Sequence, residues 1–307
     1  MRLEDRSIYY MNPPVRFLLL LVMTGISLII GVFISFTIVA GYLHVGFDEL
    51  QFVLEAPENA KVSLFANVTA SLFAFLMPSL AVAFFSKGPI AQNMGFQPIK
   101  SYKLFFWVIL LAFVGIVLSG AMATLNEQIP IPASFKVLAT ELEQKYKNTM
   151  MAMTKMNSIG DLLINLFAIA LIPAVVEELY FRGAVQTTLK QLSGKTIIAI
   201  IITAVIFSGF HLSYFGFLSR MSLGIVLGLI YEYTGSIWLP MLLHFINNGI
   251  AIVTLYVLRA DQHKAEKVMD ESMPIYWGVV AIGLVTFLLI QVKRDANYEG
   301  LDKNIRE

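Results

Sequence analysis

Cysteine is absent from the 307 residues, which excludes disulfides, thiolate metal sites and a cysteine nucleophile. Charge is scarce: Asp, Glu, Lys and Arg make up 14% of the chain, against about 25% in a soluble domain. The net charge of +1 gives no global field that would gather nucleic acid. The sequence holds no HExxH, no GxSxG, no SxxK and no phosphate-binding glycine loop, so the commoner hydrolase and nucleotide signatures are excluded. No internal repeat and no soluble domain stands out. What is abundant is apolar surface, with 57% hydrophobic residues and a mean hydropathy of +0.73. These values define an integral membrane protein.

A spanning helix needs about 20 apolar residues. Eight segments qualify, near 17–43, 63–86, 103–124, 161–185, 196–215, 220–234, 236–258 and 275–292. The expected fold is all-α, a polytopic transmembrane helix bundle of about eight spans. The sixth and seventh are parted only by Thr234-Gly235-Ser236, and Pro240 lies just inside the seventh. The organisation divides into 1–160, three spans and a loop helix; 161–260, a helix core carrying the chemistry; and 261–307, the last span and tail. The N-terminus, with mixed charge before a very long apolar run, is read as a retained span and not a cleaved signal.

Basic residues set orientation. Arg2, Arg6 and Arg16 precede or open the first span, Lys87 and Lys100 lie in the second loop, Lys190 and Lys195 in the fourth, and Lys293-Arg294 at the end of the last span. The first loop is acidic instead, with Asp48, Glu49, Glu55 and Glu58 against Lys61. An even number of spans then places both termini in the cytoplasm, in a cell's inner membrane.

The connection 126–160 carries Phe135, Leu138, Leu142, Tyr146, Met150 and Met153 at helical spacing. Glu141, Glu143, Lys145 and Lys147 fall mostly between them. That pattern predicts an amphipathic helix in the membrane interface, with a lid or substrate guide as the sharper alternative. Met150, Met151, Met153 and Met156 read as soft apolar filler. Gly224-Ile225-Val226-Leu227-Gly228 predicts close helix contact. Asn67-Val68-Thr69 matches a glycosylation acceptor but falls within a span, and His263-Lys264-Ala265-Glu266 reads as a solvated loop.

The informative residues are Glu177, Glu178 and Arg182, the only charges between Leu162 and Gly183. Charges at membrane depth cost about 2.5–3.5 kcal/mol on insertion scales and face a protein interior or a wet cavity. Glu178 and Arg182 are i, i+4 and can pair. Glu177 is rotated by about 100° and has no partner in its own segment, as suits a general base. His211 shares a helix face with Phe207, and Gly194 lies midway between Glu177 and His211. An antiparallel hairpin about Gly194 brings carboxylate and imidazole level. His244 and Asn248, again i, i+4, could aim two donors at one oxyanion, or bond between helices. One mismatch remains. Glu177 lies about 25 Å from Gly194 and His244 about 12 Å from Ser236 at 1.5 Å per residue. The levels agree only if the polar 186–195 hairpin projects from the bilayer.

In that order, Glu177-Glu178-x-x-x-Arg182, Phe207-x-x-x-His211 and His244-x-x-x-Asn248 resemble the three motifs of the CAAX-protease and bacteriocin-processing (Abi) family, intramembrane endopeptidases related to the type II CAAX prenyl endopeptidase. EELYFRG and GLIYEYTGSIWLPMLLHFINN look like family segments, and the likeness covers about residues 160–260. The resemblance implies that Glu177 activates water with help from His211, that His244 and Asn248 hold the oxyanion, and that Glu178 and Arg182 support the site. Its substrate would be a peptide or protein at the membrane. Glu177, His211 and His244 could instead form a zinc set with one open position. The competing class is a transporter or scaffold that uses the Glu/His cluster for proton relay or ligand binding. The terminal Asn304-Ile305-Arg306-Glu307 is not itself a CAAX signal.

Overall fold

The computed structural model describes residues 11–261, 263–264 and 273–304. Arg2, Arg6, Ala265, Glu266 and the terminal three residues, which entered the orientation, loop and C-terminal readings, lie outside the described residues. Those described form helices and connections, with no strand among them. The long helices are α1 Pro13–Leu43, α2 Ala60–Phe84, α3 Lys103–Glu127, α4 Ala133–Met153, α5 Ile159–Ser193, α6 Thr196–Gly209, α7 Phe217–Thr234, α8 Trp238–Val257 and α9 Ile275–Asn304. Six, namely α1, α2, α3, α5, α8 and the stretch Ile275–Ala296 of α9, are long and apolar enough to cross a membrane. The shorter α6 and α7 fill the other two predicted places. The polytopic helical bundle read from hydropathy is therefore the fold.

Two prolines shape α2 and α5. Proline removes one backbone donor and clashes with the carbonyl four residues back. Pro78 and Pro173 each follow a widened π stretch, Leu72–Leu76 and Leu166–Leu171, in which the ladder is relaxed at the disturbed carbonyls. A third π stretch, Leu179–Gln186, has no proline. There the Thr187 hydroxyl donates to the carbonyl of Arg182 at 2.9 Å, five residues back. A Cβ on Gly183 would stand 3.0 Å from the Met94 carbonyl oxygen, so glycine lets the second loop press against the helix.

Gly194 and Gly235 end α5 and α7 in the left-handed conformation, at φ 65° and 67°, as a C-terminal cap requires. The turn at Gly194 produces the expected α5–α6 hairpin. α6 and α7 pack closely because Gly224 and Gly228 carry no Cβ: one added to Gly224 would meet Ala204 at 3.0 Å, and one on Gly228 would meet the Gln186 side chain at 2.8 Å and Ile200 at 3.0 Å. The largest apolar core joins α3, α7, α8 and α9 around Val108, Leu111, Leu227, Ile230, Leu239 and Val292.

The amphipathic helix forms as α4, and its apolar stripe has an exposed and a buried end. Phe135 and Leu138 are exposed, whereas Ala139, Glu143, Ala152 and Met153 are buried. The exposed apolar end suits a helix at a membrane interface. Met156 packs with Ile252 and Leu255 as filler. Lys264 pairs with Asp261 on the surface.

Candidate active site

Glu178 and Arg182 are completely buried and joined, Arg182 Nη1 to Glu178 Oε1 at 2.9 Å. The second Arg182 amino group donates to the Gly224 carbonyl at 2.9 Å, and the guanidinium lies over the Phe207 ring, 5.1 Å from its centroid. Gln186, one turn on, donates to the Gly228 carbonyl at 3.1 Å. Lys190, another turn on, pairs with Glu232. Each of these three partners lies 42 positions further along the chain, so α5 and α7 run parallel and in register. The glycines thus serve twice, through the missing Cβ and through a carbonyl left open to α5. Gln186 was not singled out in the sequence, although its i+4 spacing from Arg182 was the available signal.

His244 enters from α8. Its Nδ1 lies 2.8 Å from Glu178 Oε1, and its Nε2 lies 3.9 Å from Glu177 Oε2. A carboxylate bonded to arginine accepts, so the proton on this edge sits on Nδ1. Nε2 then donates only from the imidazolium. His211 makes the same commitment to a different acceptor. Its Nδ1 is 3.0 Å from the Phe207 carbonyl, which can only accept, so Nδ1 carries hydrogen and a neutral ring presents a lone pair at Nε2. Phe207 stands between the two imidazoles, with ring centroids 5.1 Å from His211 and 5.8 Å from His244.

The partner that Glu177 meets is thus His244, where the hairpin argument pairs it with His211. Within the hairpin Gln186 and Thr188 are buried in the bundle, while 190–195 are exposed. α5 widens into a π stretch over 179–186, and the link Gly235-Ser236 is non-helical. Neither segment advances at 1.5 Å per residue, and both shift the levels relative to that simple count.

Asn248 is half-buried one turn beyond His244. Asn247 directs its amide nitrogen at Asn248 Oδ1, 3.4 Å away, which leaves the Asn248 NH2 to donate elsewhere. His211 itself lies past the end of α6, in a connection with Leu212 at φ 51°. Residues from other elements clamp that connection. Asn126 donates to the Tyr214 carbonyl at 2.9 Å and accepts from the Leu218 amide at 3.1 Å. The Ser213 hydroxyl donates to Glu143 at 2.7 Å. Neither Asn126 nor Glu143 carried a signal in the sequence, because each acts across a large sequence separation. A groove of about 420 Å³, walled by Phe135, Leu138, Leu142, Leu212 and Phe217, runs between α4 and this connection.

Among the described residues, no three His, Asp or Glu side chains come together as a metal-holding group. Glu177, His211 and His244 are not drawn around a common point here, while the Nδ1 contacts of the two histidines with Glu178 and with the Phe207 carbonyl leave both Nε2 atoms open.

An all-helical bundle with carboxylates, imidazoles and a guanidinium buried where helices meet defines a polytopic membrane protein with an internal polar site. Residues 159–250 match the family model described as "Type II CAAX prenyl endopeptidase Rce1-like", bearing out over that segment the likeness read from the three motifs. The chain is also 29% identical over 116 residues to "Uncharacterized protein YpbD" of Bacillus subtilis (strain 168), a match covering 34% of this chain and 57% of that relative. The chain thus spans little more than half the length of the curated relative it matches. No solved structure matches.

Proposed function

We propose that the protein is an intramembrane endopeptidase in which Glu177 activates the water that attacks a peptide bond. The observation that carries this reading is the unequal state of two adjacent carboxylates. Both Oε2 atoms are buried without a hydrogen-bond partner, but Glu178 is held through its Oε1 by Arg182 and His244, whereas Glu177 faces only the His244 Nε2, 3.9 Å away. A free acceptor beside an imidazole is what proton abstraction requires.

In the proposed reaction Glu177 takes a proton from water, which His211 helps to orient through the lone pair at Nε2. The hydroxide attacks the scissile carbonyl carbon, and the resulting oxyanion receives hydrogen bonds from the Asn248 amide and from Nε2 of a protonated His244. The C–N bond then breaks as Glu177 returns the proton to the departing amine. No step passes through a metal. The substrate is a peptide or protein reached at the bilayer surface, and the end of the bundle bearing Gly194 and Gly235 faces the cytoplasm.

Detergent-purified wild type and Glu177→Gln, assayed on quenched fluorogenic peptides, test the proposal. Loss of about 10²–10⁴-fold in kcat/KM is expected on removing a general base, with helicity unchanged. An undiminished rate in the variant overturns the reading.

A further inference from the structure

Arg16 lies in the first turn of α1, far in sequence from the motifs, and its side chain is 7% exposed. Its Nε is buried without an acceptor. Among the described residues no carboxylate pairs with it, and the ionisable side chain that faces it is the Tyr231 hydroxyl of α7, itself beside Thr187 of α5. Tyr231 also sits against Gly95, whose Cβ would fall 2.8 Å from its oxygen. The contrast with Arg182 is informative. Both guanidiniums are buried, but Arg182 is balanced by Glu178, the Gly224 carbonyl and the Phe207 face, while Arg16 has no carboxylate partner among the described residues. A buried charge without a counter-charge is strongly destabilising, and a guanidinium fork fits phosphate oxygens in particular.

We infer that Arg16, with the Tyr231 hydroxyl, forms a binding site for a phosphate-bearing anion at the end of the bundle where α1 starts and α7 finishes. The surroundings suit such a ligand. Lys103, Lys195 and Lys293 lie toward the same end of the helices, together with Glu232, which pairs with Lys190, and Asp295, which Trp107 and Arg294 hold, and basic sites between spanning helices hold anionic headgroups. The site is remote from Glu177 and does not depend on the proposed proteolysis.

The test is thermal unfolding of the delipidated full chain in neutral detergent, as wild type, Arg16→Lys and Arg16→Leu, with phosphatidylglycerol, phosphatidylcholine or inorganic phosphate added. Phosphatidylglycerol is expected to raise the wild-type Tm by at least about 2–4 °C over phosphatidylcholine and to leave Arg16→Leu unmoved. Without lipid, Arg16→Leu should be at least as stable as wild type, since an unbalanced buried charge has been removed. A matching rise with inorganic phosphate would assign the site to a soluble phosphate. No wild-type response to either anion, or an equal response in Arg16→Leu, overturns the inference. If Arg16→Leu does not accumulate, native mass spectrometry of the other two proteins decides. Wild type should retain phosphatidylglycerol at least several-fold more than Arg16→Lys, and equal retention again overturns it.

Discussion

Glu177 Oε2 and His244 Nε2 stand 3.9 Å apart, the carboxylate on one helix facing the imidazole of another. Beneath them Glu178 and Arg182 cancel each other's charge. A proton shared between Glu177 and His244 therefore leaves the net charge of the cluster unchanged whichever of the two holds it. Moving that proton from Glu177 to His244 separates charge within a close pair but leaves no isolated buried charge, the costly event at membrane depth. Proposed base and proposed oxyanion donor become ionised together.

This arrangement separates two adjacent glutamates by experiment. Glu177→Gln should leave thermal stability nearly unchanged, because the oxygen it alters has no hydrogen-bond partner. Glu178→Ala leaves a buried guanidinium and an imidazole edge unpaired and should cost about 3–5 kcal/mol, seen as a lowered Tm or loss of folded protein. Replacing Glu178 and Arg182 together with leucine should cost much less than the two single changes added.

The glycines of α7 give a graded packing test. Gly228→Ala would crowd Gln186 and Ile200, and Gly224→Ala would crowd Ala204. Each should lower stability by about 1–3 kcal/mol in a denaturation assay. Gly115→Ala and Gly283→Ala, whose added methyls meet nothing within 4 Å, serve as controls and should show no loss.

Asn126 holds the His211 connection through two hydrogen bonds. Asn126→Ala should cost about 1–3 kcal/mol for the groups left unsatisfied and should reduce kcat more than it raises KM. Asn126→Asp, which keeps the acceptor for Leu218 and loses the donor to Tyr214, should fall between the two. An alanine variant with wild-type kcat would remove Asn126 from the positioning of His211.

Chelators address the zinc alternative. The proposed reaction passes through no metal, so treatment with EDTA or phenanthroline should leave the peptidase rate within about two-fold of the untreated protein, a change of under 0.5 kcal/mol in barrier. Rate loss restored by stoichiometric zinc would show that the side chains rearrange around a metal.

Most of the fold was readable because hydropathy and membrane thickness are strong constraints. All eight segments became helices, and Gly194 and Gly235 cap where turn chemistry predicts. The Glu178–Arg182 pair was readable too, since i, i+4 neighbours are fixed by helix geometry alone. What escaped lies between helices. The contact of His244 with Glu178 depends on a widened helix and a non-helical link, which a constant rise per residue does not describe. Asn126 and Glu143 reach loop groups 88 and 70 positions away, beyond any local periodicity. On α4 the stripe was read as lying in the membrane interface; Phe135 and Leu138 do face outward, while Met153 at its far end is buried with Ala139 and Glu143, a division that periodicity alone does not show.

The three rungs between α5 and α7 divide the chain by tolerance of length. All of them share one offset, and the chain between them contains the α6 hairpin and the His211 connection. Residues added to an outlying turn would lengthen the offset equally for every rung and leave the pairing intact. A single residue added within 183–189 would swing Lys190 about 100° away from Glu232 while Arg182 kept its place. Insertions are thus absorbed at the ends of the bundle and rejected within this stretch, whatever the chemical nature of the inserted side chain.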